Sequence, residues 1–359
     1  MGEPTFRILT INPGSTSTKT AVFENETLLC EETIRYDHAE LAGIGGYLDQ
    51  EQRRTQDVTA LLSRHGQAPE DFDAIVGRGG LTKPIPSGTY VVNDRMLADL
   101  KSGAYSVHAC NLGALIAHNL GAPHGVPSYV VDPVVVDELA PEARITGCPG
   151  IEVRCSWHAL NQKAIARRYA KQHGTTYEAL NLVVAHMGGG VTVGAHRHGL
   201  TVDVNNAIDG DGPMTPERTG CVPYLPLVHR LANGECTLED IEKLPSSSGG
   251  VKAYLGTSDM REVEARVLAG DEEAALVFDA MAYQIAKAIG AQVAVLEGDV
   301  DAILLTGGLA YSELFVKAVV RRVCRLAPVE VFPGEDELTA LAEGALRVLR
   351  GEEQARVYA

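Results

Sequence analysis

Twice along the chain an apolar, β-branched run breaks at a turn and resumes at once as another such run, and this repetition limits the fold more than any other feature. The first copy, residues 6–23, is FRILTINPGSTSTKTAVF. Residues 6–11 read as a strand, because β-branched and aromatic residues suit a pleated, half-buried surface. Asn12-Pro13-Gly14 is turn chemistry, and residues 20–23 resume as a strand. The second copy runs through a strand at 181–186, the turn Met187-Gly188-Gly189-Gly190 and a strand at 191–196. A third strand–glycine junction at 302–308 leads into a helix expected over 312–325. Two similar halves, each opening with strand, turn and strand, point to an internally duplicated α/β chain.

The first tip, Ser15-Thr16-Ser17-Thr18-Lys19, is dense in hydroxyls, backbone N–H groups and one lysine, with no acidic group. Such a tip suits a phosphate chain, but a polar hairpin turn would carry the same residues, and the stretch alone does not choose between them. It is not a Walker A loop. Thr18 stands where the second glycine of that motif belongs, and a strand follows where a helix should.

With 359 residues, 45% of them hydrophobic, the chain can bury a large core in about two domains. A formal net charge of −16 argues against a nucleic-acid partner, which needs a basic face. There is no secretory pattern at the N-terminus and no apolar stretch of about 18 residues, so neither export nor a membrane partner is expected. Seven cysteines, an odd number without a C-x-x-C pair, fit unpaired thiols in a reducing cytoplasm.

Further strands are expected at 27–36, 72–77 and 127–131, the last delivering Asp132 at its C-terminal end, where ligands of open α/β sheets gather. Helices are expected at 44–65, 94–102, 109–120 (ending at Gly121), 157–173, 272–297 and 336–350, the last with an acidic first turn. Residues 81–88, with two prolines, are irregular. A Pro-, Gly- and Cys-rich loop at 141–150 suggests a boundary between a domain at 1–150 and one at 151–337. Asp209-Gly210-Asp211-Gly212 fails the EF-hand spacing and reads as a turn.

Three strand–glycine junctions in a duplicated α/β chain resemble the acetate and sugar kinase/Hsp70/actin superfamily. That likeness implies a duplicated two-domain ribonuclease H-like (actin-like ATPase) fold with an interdomain cleft. Within the superfamily, Ile11-Asn12-Pro13-Gly14-Ser15-Thr16-Ser17-Thr18-Lys19 resembles the opening signature of the acetokinase family. The resemblance covers essentially the whole chain. It takes in Gly77-Arg78, Val107-His108, Val131-Asp132, Trp157-His158, His186-Met187-Gly188, Pro216-Glu217-Arg218-Thr219-Gly220, Ser258-Asp259-Met260-Arg261 and Thr306-Gly307-Gly308, in family order. The chain length and the variants INPGSTSTK, GRGG and HMGGG are similar to the butyrate-phosphorylating members rather than the acetate-phosphorylating ones. The sequence departs from the acetate kinase pattern at Gly189, where backbone amides would serve in place of an asparagine side chain, and at Ser312, which stands where an asparagine is usual near the adenine ribose.

The resemblance implies ATP + butyrate ⇌ ADP + butyryl phosphate by in-line phosphoryl transfer, with Mg2+ on ATP/ADP and a short-chain carboxylic acid as acceptor. Acetate, propionate or branched-chain acids are the nearby alternatives, and an actin- or Hsp70-like nucleotide switch is the distant one. Arg78 and Arg218 would hold the carboxylate and the transferring phosphoryl group, since guanidinium matches such oxygens bidentately. His158 would donate to the phosphoryl group, His108 would lie near the carboxylate and His186 at the second phosphate turn. Asp132 and Glu337 would form the magnesium sphere. Asn12, Ser15, Ser17 and Lys19, with Gly188, Gly189 and Gly190, would meet the phosphates. Asp259, Met260, Arg261, Gly307 and Gly308 would surround the adenosine. Gly79 and Gly80 are expected to enlarge the acid pocket, lined by Val107 and Trp157. The terminal segment, about 338–359, is expected to pack back on the first domain. Family members imply a homo-oligomer, a dimer or larger.

Overall fold

The computed structural model describes residues 4–359, which divide into two compact units. The first comprises the chain up to Val136 with Ala159–Asn161 and Asp336–Ala359; the second comprises Asp137–His158 and Gln162–Glu335. The division falls ahead of the loop at 141–150 because that segment is tied into the second unit. Ala140 N donates to Val202 O, and Glu138 accepts from Lys163 Nζ at 2.7 Å.

The first unit is built on β1 (Arg7–Pro13), β2 (Ser17–Glu24), β3 (Thr27–Arg35), β4 (Ala74–Arg78), β5 (Thr89–Val91) and β6 (Ser128–Val131). The second holds β7 (Asn181–Met187), β8 (Val191–Arg197), β9 (Leu200–Val204), β10 (Ala302–Gly307) and β11 (Val329–Pro333), and β12 (Arg356–Val357) returns to the first. The sheet orders are β12-β5-β6-β4-β1-β2-β3 and β11-β10-β7-β8-β9. In each, three antiparallel strands form a meander, and two further strands run parallel to its first member. The duplication expected from the two hairpins is thus present in strand order and direction.

Every residue of β7 and β10 is buried. Their alternate side chains enter separate apolar clusters: Val183, Ala185 and Met187 in one, Leu182 and Val184 in the other. This is the continuous hydrophobic pattern of strands covered on both faces. The helix Glu272–Val295 sets Val277, Phe278, Met281, Ile285 and Ile289 into the first of these clusters. By length and composition it is apolar enough to cross a membrane, which corrects the expectation that no such stretch exists; its buried face accounts for that composition.

In the first unit the helix Glu337–Leu349 packs on β1, β4 and β6. A second correction concerns residues 44–65. Glycines at 45 and 46 interrupt the expected helix, which begins at Glu51, and a separate helix occupies His38–Ile44. The helix Asn111–Gly121 includes Gly121 in helical geometry, and the left-handed glycine comes later, at Gly125.

Candidate active site

In the first unit, β1 and β2 pair with Asn12 opposite Lys19 and Pro13 opposite Thr18, so the tip is Gly14-Ser15-Thr16, closed by Gly14 N donating to Ser17 O. Directly paired residues share a face, which puts Asn12 and the exposed Lys19 together. Asn12 Nδ2 donates to Glu337 Oε2 at 2.5 Å, and Arg78 Nη1 reaches the same oxygen at 3.1 Å and Asn12 Oδ1 at 3.4 Å. The end of β1, the end of β4 and the start of the terminal helix therefore bring Asn12, Lys19, Arg78 and Glu337 to one place. Asp132 lies just past β6 with φ 37, buried, and accepts from Ser87 Oγ at 2.6 Å and Gly88 N at 2.8 Å.

Beneath the tip lies a residue that the sequence did not single out. Arg54, fully buried, donates to Gly14 O at 2.8 Å, Ser17 O at 2.9 Å, Ser15 O at 3.0 Å and Thr18 Oγ1 at 3.2 Å, with Gln50 Oε1 as a further acceptor. Its charge faces carbonyls rather than a carboxylate, and burial pulls its pKa below the ordinary arginine value. The guanidinium turns the carbonyls of Gly14, Ser15 and Ser17 and the hydroxyl of Thr18 inward.

Gly79 and Gly80 overturn one expectation. A β-carbon on Gly79 would lie 2.5 Å from Pro133 Cβ, and one on Gly80 would lie 2.6 Å from Asn111 Cα. The volume these glycines give up is filled by the protein, so they bring chain segments together and do not enlarge a pocket. Val107 is exposed, and His108 Nδ1 lies 3.2 Å from Cys110 Sγ. Trp157 belongs to the second unit, where it is buried edge-on to His196.

In the second unit the turn Gly188-Gly189-Gly190 closes through Gly188 N donating to Gly190 O. His158 and His186 stack beside it, ring centroids 3.7 Å apart and 8° from parallel. A β-carbon on Gly190 would stand 3.0 Å from Arg218 Nη1 and 3.3 Å from His158 Nε2, which places both side chains against the turn. His186 Nε2 lies 3.4 Å from Glu335 Oε1. Arg218 donates from Nη1 to Ala207 O at 2.7 Å, while its buried Nε has no partner among the described residues. Burial lowers its pKa, with Glu217 opposing. A desolvated guanidinium with an unused donor beside a glycine turn is arranged for an anion.

A pocket of about 590 Å³ opens in the same unit, lined by Met260, Arg261, Gly308, Leu309, Tyr311 and Ser312 together with Glu264, Phe278, Glu313 and Phe315. Mostly apolar walls with a few polar groups at this volume suit a planar ring with a polar edge. Met260, Arg261 and Gly308 are brought together here as expected residues, and Ser312 lines the pocket with its hydroxyl on Glu264 at 2.6 Å. Asp259 does not line it: its carboxylate caps the helix Met260–Leu268 and pairs with Arg261. Gly307, at φ 92, passes beneath Met187, where a β-carbon would meet the backbone oxygen at 2.4 Å. Glu264, Tyr311 and Glu313 had no signal in the sequence: Glu264 lies within the helix Met260–Leu268, and Tyr311 and Glu313 flank the start of the helix Glu313–Val323.

A repeated meander sheet in each of two units, each with a strand–turn–strand opening, defines the actin-like ATPase fold class. More narrowly, the chain belongs to the acetokinase family, whose pattern matches residues 150–345. It is 49% identical over 353 residues, 98% of this chain and 99% of the relative, to Butyrate kinase 2 of Clostridium acetobutylicum. Its fold is that of the acetate kinase of Porphyromonas gingivalis, with TM-score 0.80, 19% identity and coverage of 96% of this chain and 100% of that one. A propionate kinase from Francisella tularensis gives TM-score 0.73 at 17% identity, covering 94% and 98%.

Proposed function

We propose that this chain is a short-chain fatty-acid kinase that transfers the γ-phosphoryl group of ATP to butyrate, giving ADP and butyryl phosphate. The observation that carries the reading is the 49% identity to a curated butyrate kinase along nearly the whole of both chains. The acceptor acid is ionised at neutral pH, since carboxylic acids titrate near pH 4, so no general base is required. Catalysis then rests on holding two anions in line and stabilising charge on the phosphoryl oxygens.

The roles divide between two groups of residues. Arg78 is the carboxylate anchor, with His108, Val107 and Trp157 as the other acid-binding candidates. Asn12, Ser15, Ser17 and Lys19 supply donors to the phosphates. In the second unit, backbone N–H groups of Gly188, Gly189 and Gly190 approach the phosphates, supported by His186. Arg218 and His158 donate to the transferring phosphoryl group. The 590 Å³ pocket, lined in part by Met260, Arg261 and Gly308, takes the adenosine, and Asp259 and Gly307 are the chain neighbours of those residues. Asp132 and Glu337 offer hard oxygen donors, and among the described residues no group of three or more His, Cys, Asp or Glu is gathered for an ion. That suits a magnesium ion carried by the nucleotide, which takes one or two carboxylates beside phosphate oxygens. When bound, it would neutralise charge across the β- and γ-oxygens.

The reading includes a cytoplasmic, homo-oligomeric enzyme without nucleic-acid or membrane partners. Unpaired cysteines and the net charge of −16 support the first and last parts. An amphipathic helix, Tyr224–Ala232, with no buried residue supports the oligomer. The test is hydroxamate-trapped acyl phosphate formation with Mg-ATP across acetate to valerate, with isobutyrate and isovalerate. A maximum at four carbons is expected. A maximum at acetate would keep the family chemistry and overturn butyrate, and no product with any acid would overturn the kinase reading.

A further inference from the structure

We propose that a chain of hydrogen bonds from Tyr177 through His196, Gln162 and Thr192 fixes the tautomer of His158, so that its Nε2–H is presented at the glycine turn. The proposal rests on the reading of His158 as donor to the transferring phosphoryl group.

The direction of each bond follows from the chemistry of its partners. The carbonyl of Thr192 can only accept, and Gln162 Nε2 lies 3.0 Å from it and 2.8 Å from Thr192 Oγ1. The amide therefore presents its NH2 to Thr192, since the opposite orientation would set oxygen against oxygen. Gln162 Oε1 is then the acceptor for His196 Nε2 at 2.9 Å, which places the His196 proton on Nε2. His196 Nδ1 is left as an acceptor and is met by the Tyr177 hydroxyl at 2.6 Å, with Thr201 Oγ1 at 3.3 Å. Burial, with Lys163 and Arg167 nearby, holds His196 well below its ordinary pKa, so the ring is neutral as this pattern requires. Thr192 Oγ1 accepts from Gln162, and among the described residues His158 Nδ1, at 2.8 Å, is the one acceptor for its own hydrogen, so the hydroxyl donates to Nδ1. The lone pair of Nδ1 is thereby used, and the proton of neutral His158 sits on Nε2. That nitrogen is the one against the turn, 3.3 Å from a β-carbon built on Gly190.

An independent feature of the chain fits the same purpose. On β8, a β-carbon at Gly194 would lie 2.7 Å from Gln162 Oε1 and 3.1 Å from His196 Nε2. The glycine leaves room for the bond between those two side chains. Gly194→Ala therefore displaces the far end of a flexible glutamine without touching His158 or the turn.

The tautomer is read directly by ¹⁵N-histidine NMR of the wild-type protein, with His158→Asn and His196→Asn assigning the signals. His158 is expected to be protonated on Nε2 in the wild type and to become a mixture in Gly194→Ala and Thr192→Val. Those variants are expected to lose about tenfold to a hundredfold in kcat, the range seen when partners that orient an imidazole are removed from metal sites. KM for ATP and butyrate should move less than about threefold, because ground-state binding is untouched. Thr192→Ser, which keeps the hydroxyl, should recover most of the lost rate. Wild-type His158 protonated on Nδ1, or Thr192→Val with wild-type kcat, overturns the proposal; if Gly194→Ala does not fold, these two readouts decide it. His158→Ala separates the layers: an active His158→Ala enzyme removes the role of His158 itself, whereas an inactive one beside an active Thr192→Val removes only the hydrogen-bond chain.

Discussion

Replacing Arg54 with lysine keeps a positive charge and is expected to undo the first phosphate turn. The guanidinium is fully buried and serves three backbone carbonyls, those of Gly14, Ser15 and Ser17, at 2.8–3.0 Å. A planar fork with five N–H donors can hold carbonyls in several directions, whereas an ammonium is one nitrogen on a flexible stem. If the lysine keeps one carbonyl, Ser17 O still accepts from Gly14 N, and the groups left without Arg54, a second tip carbonyl and the buried Gln50 Oε1, cost about 1–3 kcal/mol each, for a total of about 2–6 kcal/mol. The more strongly hydrated ammonium adds to the cost in the same direction. Against a typical domain stability of about 5–15 kcal/mol, a loss near 4 is large. Freed carbonyls would also turn toward the anion that the tip is proposed to hold. Urea denaturation followed by circular dichroism should show an earlier main transition for Arg54→Lys, and KM for ATP should rise about tenfold or more, equivalent to about 1.4 kcal/mol of binding. An Arg54→Lys protein with an unchanged urea midpoint and an unchanged KM for ATP would refute the reasoning, because it would mean the tip holds its shape without the fork.

Other perturbations test other parts of the molecule. His196 stays neutral in the fold, well below the ordinary 6.5, whereas the unfolded chain protonates it below that pH. Its stabilising contribution is thus full above about pH 6.5 and is lost as pH falls below it, by up to about 1.4 kcal/mol per unit. Urea midpoints should fall less steeply with acid in His196→Gln than in the wild type, and equal slopes would count against this assignment. Gly79→Ala should lose about 1–3 kcal/mol through overpacking on Pro133; a stable variant whose only change is a shift toward acetate would restore the enlarged-pocket view. Arg218→Met should lower kcat by about 10²–10³, as for removal of a transition-state donor. Its melting temperature should hold or rise, because a desolvated cation has gone; a large fall would make Arg218 structural.

Much of the fold is legible in the residues. The first meander and the hairpin that opens the second declare themselves because strand, turn and strand are local, with β-branched runs such as Leu182-Val183-Val184 broken by glycines, whereas β9 was not expected. The helix boundary at Glu51 was less accessible, since apolar spacing continues through Gly45 and Gly46 and only the glycines' backbone preference breaks it. The acid pocket was misread for a related reason: a glycine in sequence shows missing volume, and only the fold reveals that Pro133 and Asn111 fill it. The candidate histidines His108, His158 and His186 were singled out through resemblance alone. Arg54, Gln162 and Thr192 were not, because each acts through partners distant in sequence, as Arg54 does across 36–40 residues to the tip. Long-range polar contacts leave no periodic trace.

The return of the chain to the first unit has a consequence for the order of events during translation. The helix Glu337–Leu349 covers β1, β4 and β6, β12 pairs with β5, and the side chain of Tyr358 is buried with its hydroxyl on Asp99 at 2.8 Å. None of this can form when Val136 leaves the ribosome. At about 5–20 residues per second, the wait for Tyr358 lasts roughly 10–45 s. Most of the second unit is synthesised within that interval as an unbroken stretch, Gln162–Glu335. The part made first is therefore finished last, and during the wait the nascent sheet carries an uncovered apolar face that a cell must shield.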